Sequence, residues 1–225
     1  MDFAARVTNL LLFYPVFLFS LSCHEAAHGW MANRFGDPTA KYMGRITLSP
    51  FPHMDILGTF IIPCFGILSG FPVIGWGKPV PINPRNFHDE RMGTLWVSAF
   101  GPLTNIVLAV LFAIVARILI YTITSGMLPA SIFEPGSVAV SAVRFIYGIC
   151  QIGVMLNLIL AFFNLLPIPP LDGSGIIQGL LPYGLLAKYH QFSRYGMIVL
   201  LILLMTGALR YLLAPAYLVA GFLLP

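Results

Sequence analysis

Uncharged apolar stretches of about 20 residues constrain the fold of this chain more than any other feature. Only 9% of the 225 residues are charged and 58% are hydrophobic, which gives a mean hydropathy of +0.88. Soluble domains carry about 25% charged residues, so the chain is expected to be an integral membrane protein. The stretches run from about residue 8 to 31, 56 to 74, 94 to 116, 145 to 166, and from 195 onwards.

These stretches predict an all-α membrane protein, a polytopic bundle of about five to six transmembrane helices in the cell membrane. Pro63 interrupts the second stretch, which is expected to be kinked or only partly inserted, and Arg210 and Pro215 break the last one. The remaining length leaves no room for an additional soluble domain, so we expect one membrane domain, 1–225. The net charge of +4 suits loops facing an anionic lipid bilayer, and no run of Lys and Arg residues suggests nucleic acid.

Near the end of the first stretch, His24-Glu25-Ala26-Ala27-His28 has the pattern of a zinc hydrolase. Residues four apart lie on one face of an α-helix, so both imidazoles can reach the same metal ion. Glu25 follows the first ligand directly, where its carboxylate can take a proton from a metal-bound water. Ionisable side chains at bilayer depth are costly and usually functional. We therefore interpret the motif as a catalytic zinc centre rather than as two packing histidines.

A catalytic zinc ion needs a third protein ligand, for which Asp172 is the strongest candidate. It follows the proline-rich segment 167–170 after the fourth apolar stretch, and Gly173 comes next. Prolines and glycine break a helix, so the carboxylate can turn toward another helix. The alternative is that Asp172 caps the helix that follows. His53 and Asp55 are rivals for a metal or substrate contact, although such residues more often fix a loop by hydrogen bonds.

Asparagines inside the apolar stretches are candidates for substrate contact or for support of the metal ligands. Asn105 lies one helical turn after Gly101, whose missing side chain leaves a gap for another chain. The Asn105 amide could bind substrate backbone or a developing oxyanion, or it could hydrogen-bond to a neighbouring helix. Asn157 and Asn164 raise the same question. Asn164, just before the Asp172 loop, is better placed to support the metal ligands.

Two segments between the apolar stretches have the pattern of short strands. Residues 41–48 partly alternate apolar and polar side chains, and residues 75–84 contain prolines that would confine them to the edge of a sheet. An edge strand beside a protease site can hold substrate backbone by strand addition. Interfacial loops anchored by Trp76 are an equally good interpretation of both segments.

The motifs taken together resemble the site-2 proteases, which are intramembrane zinc metalloproteases. Residues 24–28, the Gly-Pro-Leu-Thr-Asn of 101–105 and the Leu-Asp-Gly of 171–173 agree with that family in order and spacing. Residues 34–40 and 77–86 are similar to its small prokaryotic branch. On this resemblance the chain is expected to lack the PDZ-like or CBS-like regulatory domain of larger relatives.

The resemblance implies a fold, a cofactor and a set of site residues. It implies hydrolysis of peptide bonds within or near transmembrane segments of membrane-protein substrates. Because the chain is so small, access of substrate is expected to depend on earlier trimming, on a regulatory partner or on a homo-oligomer. The implied site consists of one Zn²⁺ on His24, His28 and Asp172, Glu25 as general base and Asn105 in contact with substrate, within a catalytic core of about residues 8–180.

Two other functions remain open at the level of the sequence. Polar groups inside a helical bundle also form ion pathways, so the protein could be a metal-ion transporter. A transporter has no need of a Glu directly after the first ligand. The other alternative is a non-catalytic, zinc-bound membrane chaperone or adaptor.

Overall fold

A computed structural model describes residues 3–69, 75–125, 134 and 137–225 of the chain. All regular elements in these ranges are helical, which confirms the predicted all-α fold. Single 3-10 turns form at Phe51–His53 and Pro84–Asn86, and Ile56–Ile61 form a π-helical turn. The α-helices are α1 (Phe3–Arg34), α2 (Thr39–Tyr42), α3 (Ile62–Ser69), α4 (Glu90–Thr124), α5 (Val138–Asn164), α6 (Asp172–Leu180), α7 (Tyr183–Ser193), α8 (Gly196–Met205), α9 (Leu209–Leu212) and α10 (Ala214–Leu223).

Three of the described helices are long and apolar enough to cross a membrane, and they coincide with the first, third and fourth predicted stretches. They comprise Arg6–Arg34 of α1, Glu90–Thr124 and Val138–Asn164. The second and last stretches form shorter apolar helices, Ile56–Ser69 and then α8 and α10. Part of the second stretch, residues 70–74, lies outside the described residues. By length and composition, three described helices are therefore able to cross a membrane, and the further two or three crossings stay a prediction.

The last stretch breaks earlier than its charge and proline pattern predicts. Helix α8 ends at Met205, and Gly207 follows with φ of +70°. Residues other than glycine rarely adopt this left-handed conformation, so Gly207 permits the turn between α8 and α9. Pro215 lies in the first turn of α10, where a missing backbone N–H costs no helical hydrogen bond.

Helix α4 packs against α1, α5 and α6 and forms the centre of the bundle. Small side chains allow this close packing: Ala109 and Ala113 of α4 meet Val154 and Leu158 of α5 and two alanines of α10 in one buried cluster. Two further glycines, Gly175 and Gly179 on α6, face Ser98 and Leu95 of α4 so closely that a Cβ at either glycine would clash. Helix α6 is thereby held against the first turns of α4.

Neither predicted strand segment forms a strand in the described parts of the chain. Residues 41–48 begin with the end of α2 and turn at Gly44, which has φ of +65°. Residues 75–83 have no regular secondary structure. Their backbone N–H groups bond to side chains and to carbonyls of the turns at Phe51–His53 and Ile56–Ile61 instead of to a neighbouring strand, and their prolines cannot donate. The strand interpretation of these segments is therefore not confirmed, and the described residues agree with the alternative of connecting loops.

Asp37, in the turn between α1 and α2, holds the end of this segment in place. Its side chain is fully buried and accepts hydrogen bonds from the Asn83 backbone N–H at 2.7 Å and from the Asn86 amide at 2.8 Å. Thr39 donates through both its backbone N–H and its hydroxyl. Burial alone would raise the pKa of Asp37, but the donors of Asn83, Thr39 and Asn86 outweigh it and hold the pKa of the carboxyl below its ordinary value.

We expect Asp37→Asn to destabilise the fold in a pH-dependent way. An amide cannot accept these hydrogen bonds as a charged carboxylate does, so the loss at pH 7 should be on the order of 2 kcal/mol. A lowered pKa in the folded state gives stability that is complete above the unfolded pKa of about 3.9 and is lost as the pH falls through the folded value. Thermal unfolding in detergent should therefore show a gap between wild type and Asp37→Asn that closes below about pH 4.

The matched control is Asp89→Asn, which makes the same change of charge at the N-cap of α4. Asparagine caps a helix about as well as aspartate, so this variant should unfold close to the wild-type temperature. An Asp37→Asn protein with wild-type stability at pH 7, or a gap that does not depend on pH, would contradict the role of Asp37.

Candidate metal centre

Helix α1 brings His24 and His28 together in the interior of the bundle. Both residues are buried, at 6% and 7% exposure, and their Nε2 atoms lie 3.0 Å apart. The other ring nitrogens point away from each other, toward α4. His28 Nδ1 lies 2.7 Å from the carbonyl oxygen of Val97, and His24 Nδ1 lies 2.6 Å from Asn105 Oδ1.

A chain of hydrogen bonds sets the tautomer of His24. The Asn157 amide nitrogen donates to the carbonyl oxygen of Gly153 at 2.8 Å and to the Ser20 hydroxyl oxygen at 2.9 Å. Asn157 Oδ1 therefore accepts from the Asn105 amide at 2.8 Å, which turns Asn105 Oδ1 toward His24. His24 Nδ1 must then carry the proton.

The same logic applies to His28, because the Val97 carbonyl can only accept a hydrogen bond. With both protons on Nδ1, both Nε2 atoms present a lone pair to the space between them. This is the arrangement in which histidine binds a metal through Nε2 while an oxygen fixes the other nitrogen.

Asp172 completes the cluster from the opposite side. Its Oδ2 lies 3.1 Å from His24 Nε2 and its Oδ1 lies 3.3 Å from His28 Nε2. Oδ2 is buried and accepts no hydrogen bond from the described residues. Helix α6 begins at Asp172 itself, and its N-cap residue is Leu171, so Asp172 is not at the capping position. The structure thus places Asp172 beside the histidines and not in the alternative capping role.

The donor set fits a zinc ion. One atom each from His24, His28 and Asp172 lie within 4.8 Å of one another, and within the described chain these three are the group of histidine, cysteine and acidic side chains that could hold a metal. Three unprotonated lone-pair atoms at this separation repel one another, and a cation between them removes that repulsion. Zinc bonds of about 2.0–2.1 Å in a tetrahedron put neighbouring ligand atoms roughly 3.4 Å apart, close to the separations found here. Two histidines and a carboxylate are also a ligand set of catalytic zinc sites, in which the fourth position is open.

Gly101 on α4 provides the space in which the two imidazoles lie. A Cβ at this position would clash with His28 Nε2 and would lie 2.7 Å from His24 Cε1. Pro102 follows, and because it has no N–H it leaves a carbonyl of the preceding turn without its helical partner. The Gly-Pro pair therefore lets the α4 backbone approach the rings and disturbs the helix next to Val97, whose carbonyl binds His28.

Glu25 lies on a different face of α1 and is only partly buried. Its Oε2 accepts a hydrogen bond from the backbone N–H of Val80 at 3.0 Å. No described residue donates to Oε1. One carboxylate oxygen is therefore held by the connecting segment, and the other is available for a water molecule.

The remaining candidates from the sequence lie in different surroundings. Asn105 is next to His24, as a support of the ligand. Asn164 donates to the carbonyl of Leu160 in its own helix, and the His53 ring bonds to the carbonyl of Thr47, so neither is brought to the ligand cluster. Burial lowers the pKa of His53, which favours its neutral form. A role for His53 or Asn164 at the site stays a prediction, and no described contact joins either side chain to His24, His28 or Asp172.

Asn157 occupies the supporting position that sequence reasoning favoured for Asn164. A signal for it exists in the sequence, since Gly153 precedes Asn157 by four residues just as Gly101 precedes Asn105. Both pairs place a gap and an amide on one helix face. The Val97 carbonyl and the Ser20 hydroxyl carry no comparable signal, because any residue has a carbonyl and serine is common in apolar helices.

We expect Gly101→Ala to reduce zinc binding strongly while the protein still inserts in the membrane. The added methyl group occupies the space of the His28 ring, so at least one ligand must move. Zinc content of purified protein and competition with a chelator would measure the effect, and loss of one ligand should lower the affinity by about 10- to 100-fold or more. Gly148→Ala is the matched control, since a Cβ there lies 3.6 Å from Leu12 and makes an ordinary contact. Wild-type affinity in Gly101→Ala would contradict the close approach of α4 to the imidazoles.

Comparison with known proteins agrees with this chemistry. The sequence model of Peptidase family M50 matches residues 12–206. The Bacillus subtilis protein named "Putative zinc metalloprotease YwhC" is 38% identical over 213 residues, which cover 91% of this chain and 89% of the relative. A Mycolicibacterium smegmatis protein, "Putative zinc metalloprotease Rip2", is 28% identical over 86% of this chain and 66% of its own length. No solved structure is significantly similar to the chain.

These matches cover the metal centre and most of the bundle. They identify a zinc-dependent metalloprotease and confirm the predicted resemblance, enzyme class and cofactor. None of them supports the metal-transporter or chaperone alternative.

Proposed function

The chain belongs to peptidase family M50, the site-2 proteases, and on that premise we propose that it cleaves peptide bonds within or near the transmembrane segments of other membrane proteins. The depth of the metal centre in α1 supports this proposal most directly. His28 lies 6 residues and His24 lies 10 residues before the end of the spanning segment at Arg34. At 1.5 Å per residue these are distances of about 9 and 15 Å, and the hydrocarbon core of a bilayer is about 30 Å thick. A substrate bond would therefore be cut at membrane depth.

The residues of the chain divide the chemistry between holding a metal and moving a proton. His24, His28 and Asp172 would hold zinc, which when bound polarises a carbonyl and lowers the pKa of a coordinated water toward about 7. Glu25 accepts the proton of the attacking water on its free oxygen, Oε1, and later delivers it to the leaving amine. The Asn105 amide keeps the His24 ring oriented during the reaction, since its Oδ1 accepts a hydrogen bond from the Nδ1–H of His24.

The segment after α3 offers a place for the substrate backbone next to Glu25. The Val80 N–H donates a hydrogen bond to Glu25, while the Val80 carbonyl has no partner among the described residues. Both backbone groups of Ile82 are likewise unpaired in the described chain. A substrate helix must unwind before its peptide bonds can be cut, because helical hydrogen bonds shield them. Pairing with Val80 and Ile82 would satisfy the groups that unwinding exposes.

We expect Glu25→Gln to lose proteolysis and to keep its zinc. The glutamine cannot accept a proton from water, whereas the three ligands stay in place. General acid–base catalysis contributes about 10²- to 10⁴-fold, so the rate of cleavage should fall by at least that order. A panel of membrane-tethered reporters with purified protein in liposomes would measure the rate, and mass spectrometry of the fragments would locate the cuts.

Glu90→Gln is the matched control, because Glu90 is exposed in the first turn of α4 and lies outside the cluster. It should cut as the wild type does. Cuts by wild type inside the apolar segments of the reporters are the expected result. A fully active Glu25→Gln protein would contradict the mechanism, and cuts confined to soluble parts of the reporters would contradict the proposed site of cleavage.

A further inference from the structure

Arg45, after α2, is a buried cation without an acidic partner. Its residue exposure is 6%, and within the described chain its side chain forms no ion pair. Its Nη2 donates instead to the backbone carbonyls of Lys78 at 2.6 Å and Pro79 at 3.2 Å, while its Nε is buried without a partner. Burying a guanidinium in this way is costly, because charged groups inside proteins are normally paired. The hydrogen bonds to these two carbonyls must therefore offset the cost of burying the guanidinium.

The peptide group between Pro79 and Val80 links Arg45 to Glu25. Its carbonyl oxygen accepts from the Arg45 guanidinium, and its N–H donates to Glu25 Oε2 at 3.0 Å. The peptide group is planar and conjugated, so the two hydrogen bonds act on the same electronic system. A cation at the carbonyl polarises the group and strengthens its N–H as a donor, as in other chains of hydrogen bonds. One rigid peptide plane thus stands between a buried cation and the general base.

The neighbouring residues prevent this peptide from moving away. On one side, the Lys78 N–H donates to the carbonyl of His53 at 2.8 Å. On the other, the Asn83 N–H donates to the buried Asp37 carboxylate at 2.7 Å. Pro79 and Pro81 fix φ on both sides of Val80. The Val80 side chain is 8% exposed and faces Gly29 of α1, one turn after Glu25.

We propose that Arg45 is a positioning residue for the reaction, which holds Glu25 in its productive orientation through the Pro79–Val80 peptide. This inference rests on the proposed role of Glu25 as general base. A glutamate side chain has three rotatable bonds, and fixing Oε2 leaves Oε1 directed at the water that it must deprotonate. In the described chain Arg45 forms no hydrogen bond or ion pair with His24, His28 or Asp172, so its removal should affect the rate of the chemical step more than zinc binding.

The test compares Arg45→Met, Arg45→Lys and Arg85→Met in zinc-loaded, full-length protein. Methionine keeps an unbranched stem without charge or donors, and lysine restores the charge. Arg85 lies in the same connection but is exposed, and its side chain makes no hydrogen bond in the described structure, so it is the matched control. The reporters that detect cleavage by wild type serve as substrate. Zinc content and thermal unfolding are measured on every variant.

Arg45→Met is expected to lower kcat by about 10- to 100-fold, with KM and zinc content near wild type. Arg45→Lys should recover a large part of kcat, and Arg85→Met should retain all of it. Hydrogen exchange provides a direct readout of the link. Exchange of the Val80 amide should be slow in wild type and Arg45→Lys and faster in Arg45→Met and in Glu25→Ala.

A wild-type kcat in folded Arg45→Met would overturn the inference, as would an equal loss of kcat in Arg45→Met and Arg85→Met. If Arg45→Met does not fold, Glu25→Ala still tests the hydrogen bond between the Val80 N–H and Glu25. Unchanged exchange of the Val80 amide in Glu25→Ala would show that Glu25 does not hold this peptide, which overturns the inference. The two proposals fail in different ways. Full activity of Glu25→Gln removes the general base and this inference with it, whereas dependence on Glu25 without dependence on Arg45 removes only this inference.

Discussion

The convergence of three side chains with lone pairs on one point is the constraint on which the rest of the structure depends. His24 Nε2, His28 Nε2 and the carboxylate of Asp172 converge from two helices to separations of 3.0 to 3.3 Å. A cation bound between these groups makes their approach favourable, because it offsets the repulsion of their lone pairs. Zinc on these three side chains would join α1 to α6 next to Gly101 of α4, so metal binding would also stabilise the fold.

Burying polar groups in an apolar bundle costs free energy, and the buried polar groups described here form hydrogen bonds that orient other side chains. Asn157 and Ser20 orient Asn105, and Asn105 orients His24. Next to Glu25, two buried charges, Arg45 and Asp37, bind the backbone of the segment that contacts Glu25. The first set of hydrogen bonds orients the His24 imidazole, and the second holds one oxygen of the Glu25 carboxylate. In the proposed mechanism the ligands and the general base are therefore positioned by separate sets of contacts.

The sequence predicted the parts of the site that depend on local spacing. Two histidines four apart and the Glu between them require only helical periodicity, and Asp172 followed from the prolines that break the chain before it. Asn157, Val97 and Arg45 could not be assigned, because their roles depend on which helix or loop lies opposite. Residues 75–83 form no strand for a related reason: their prolines indicate an extended backbone, but the partners of its N–H groups are Glu25, Asp37 and the carbonyls of Gly58 and His53.

X-ray absorption at the zinc edge of the purified, full-length protein tests the central claim most directly. The account predicts one zinc per chain with nitrogen and oxygen ligands at about 2.0–2.1 Å, including two imidazoles, and loss of one oxygen ligand or of the metal in Asp172→Ala. The buried thiol of Cys23 is adjacent to His24 in the sequence but lies on another face of α1. A sulfur ligand at about 2.3 Å, or an unchanged spectrum in Asp172→Ala, would contradict a centre built from His24, His28 and Asp172.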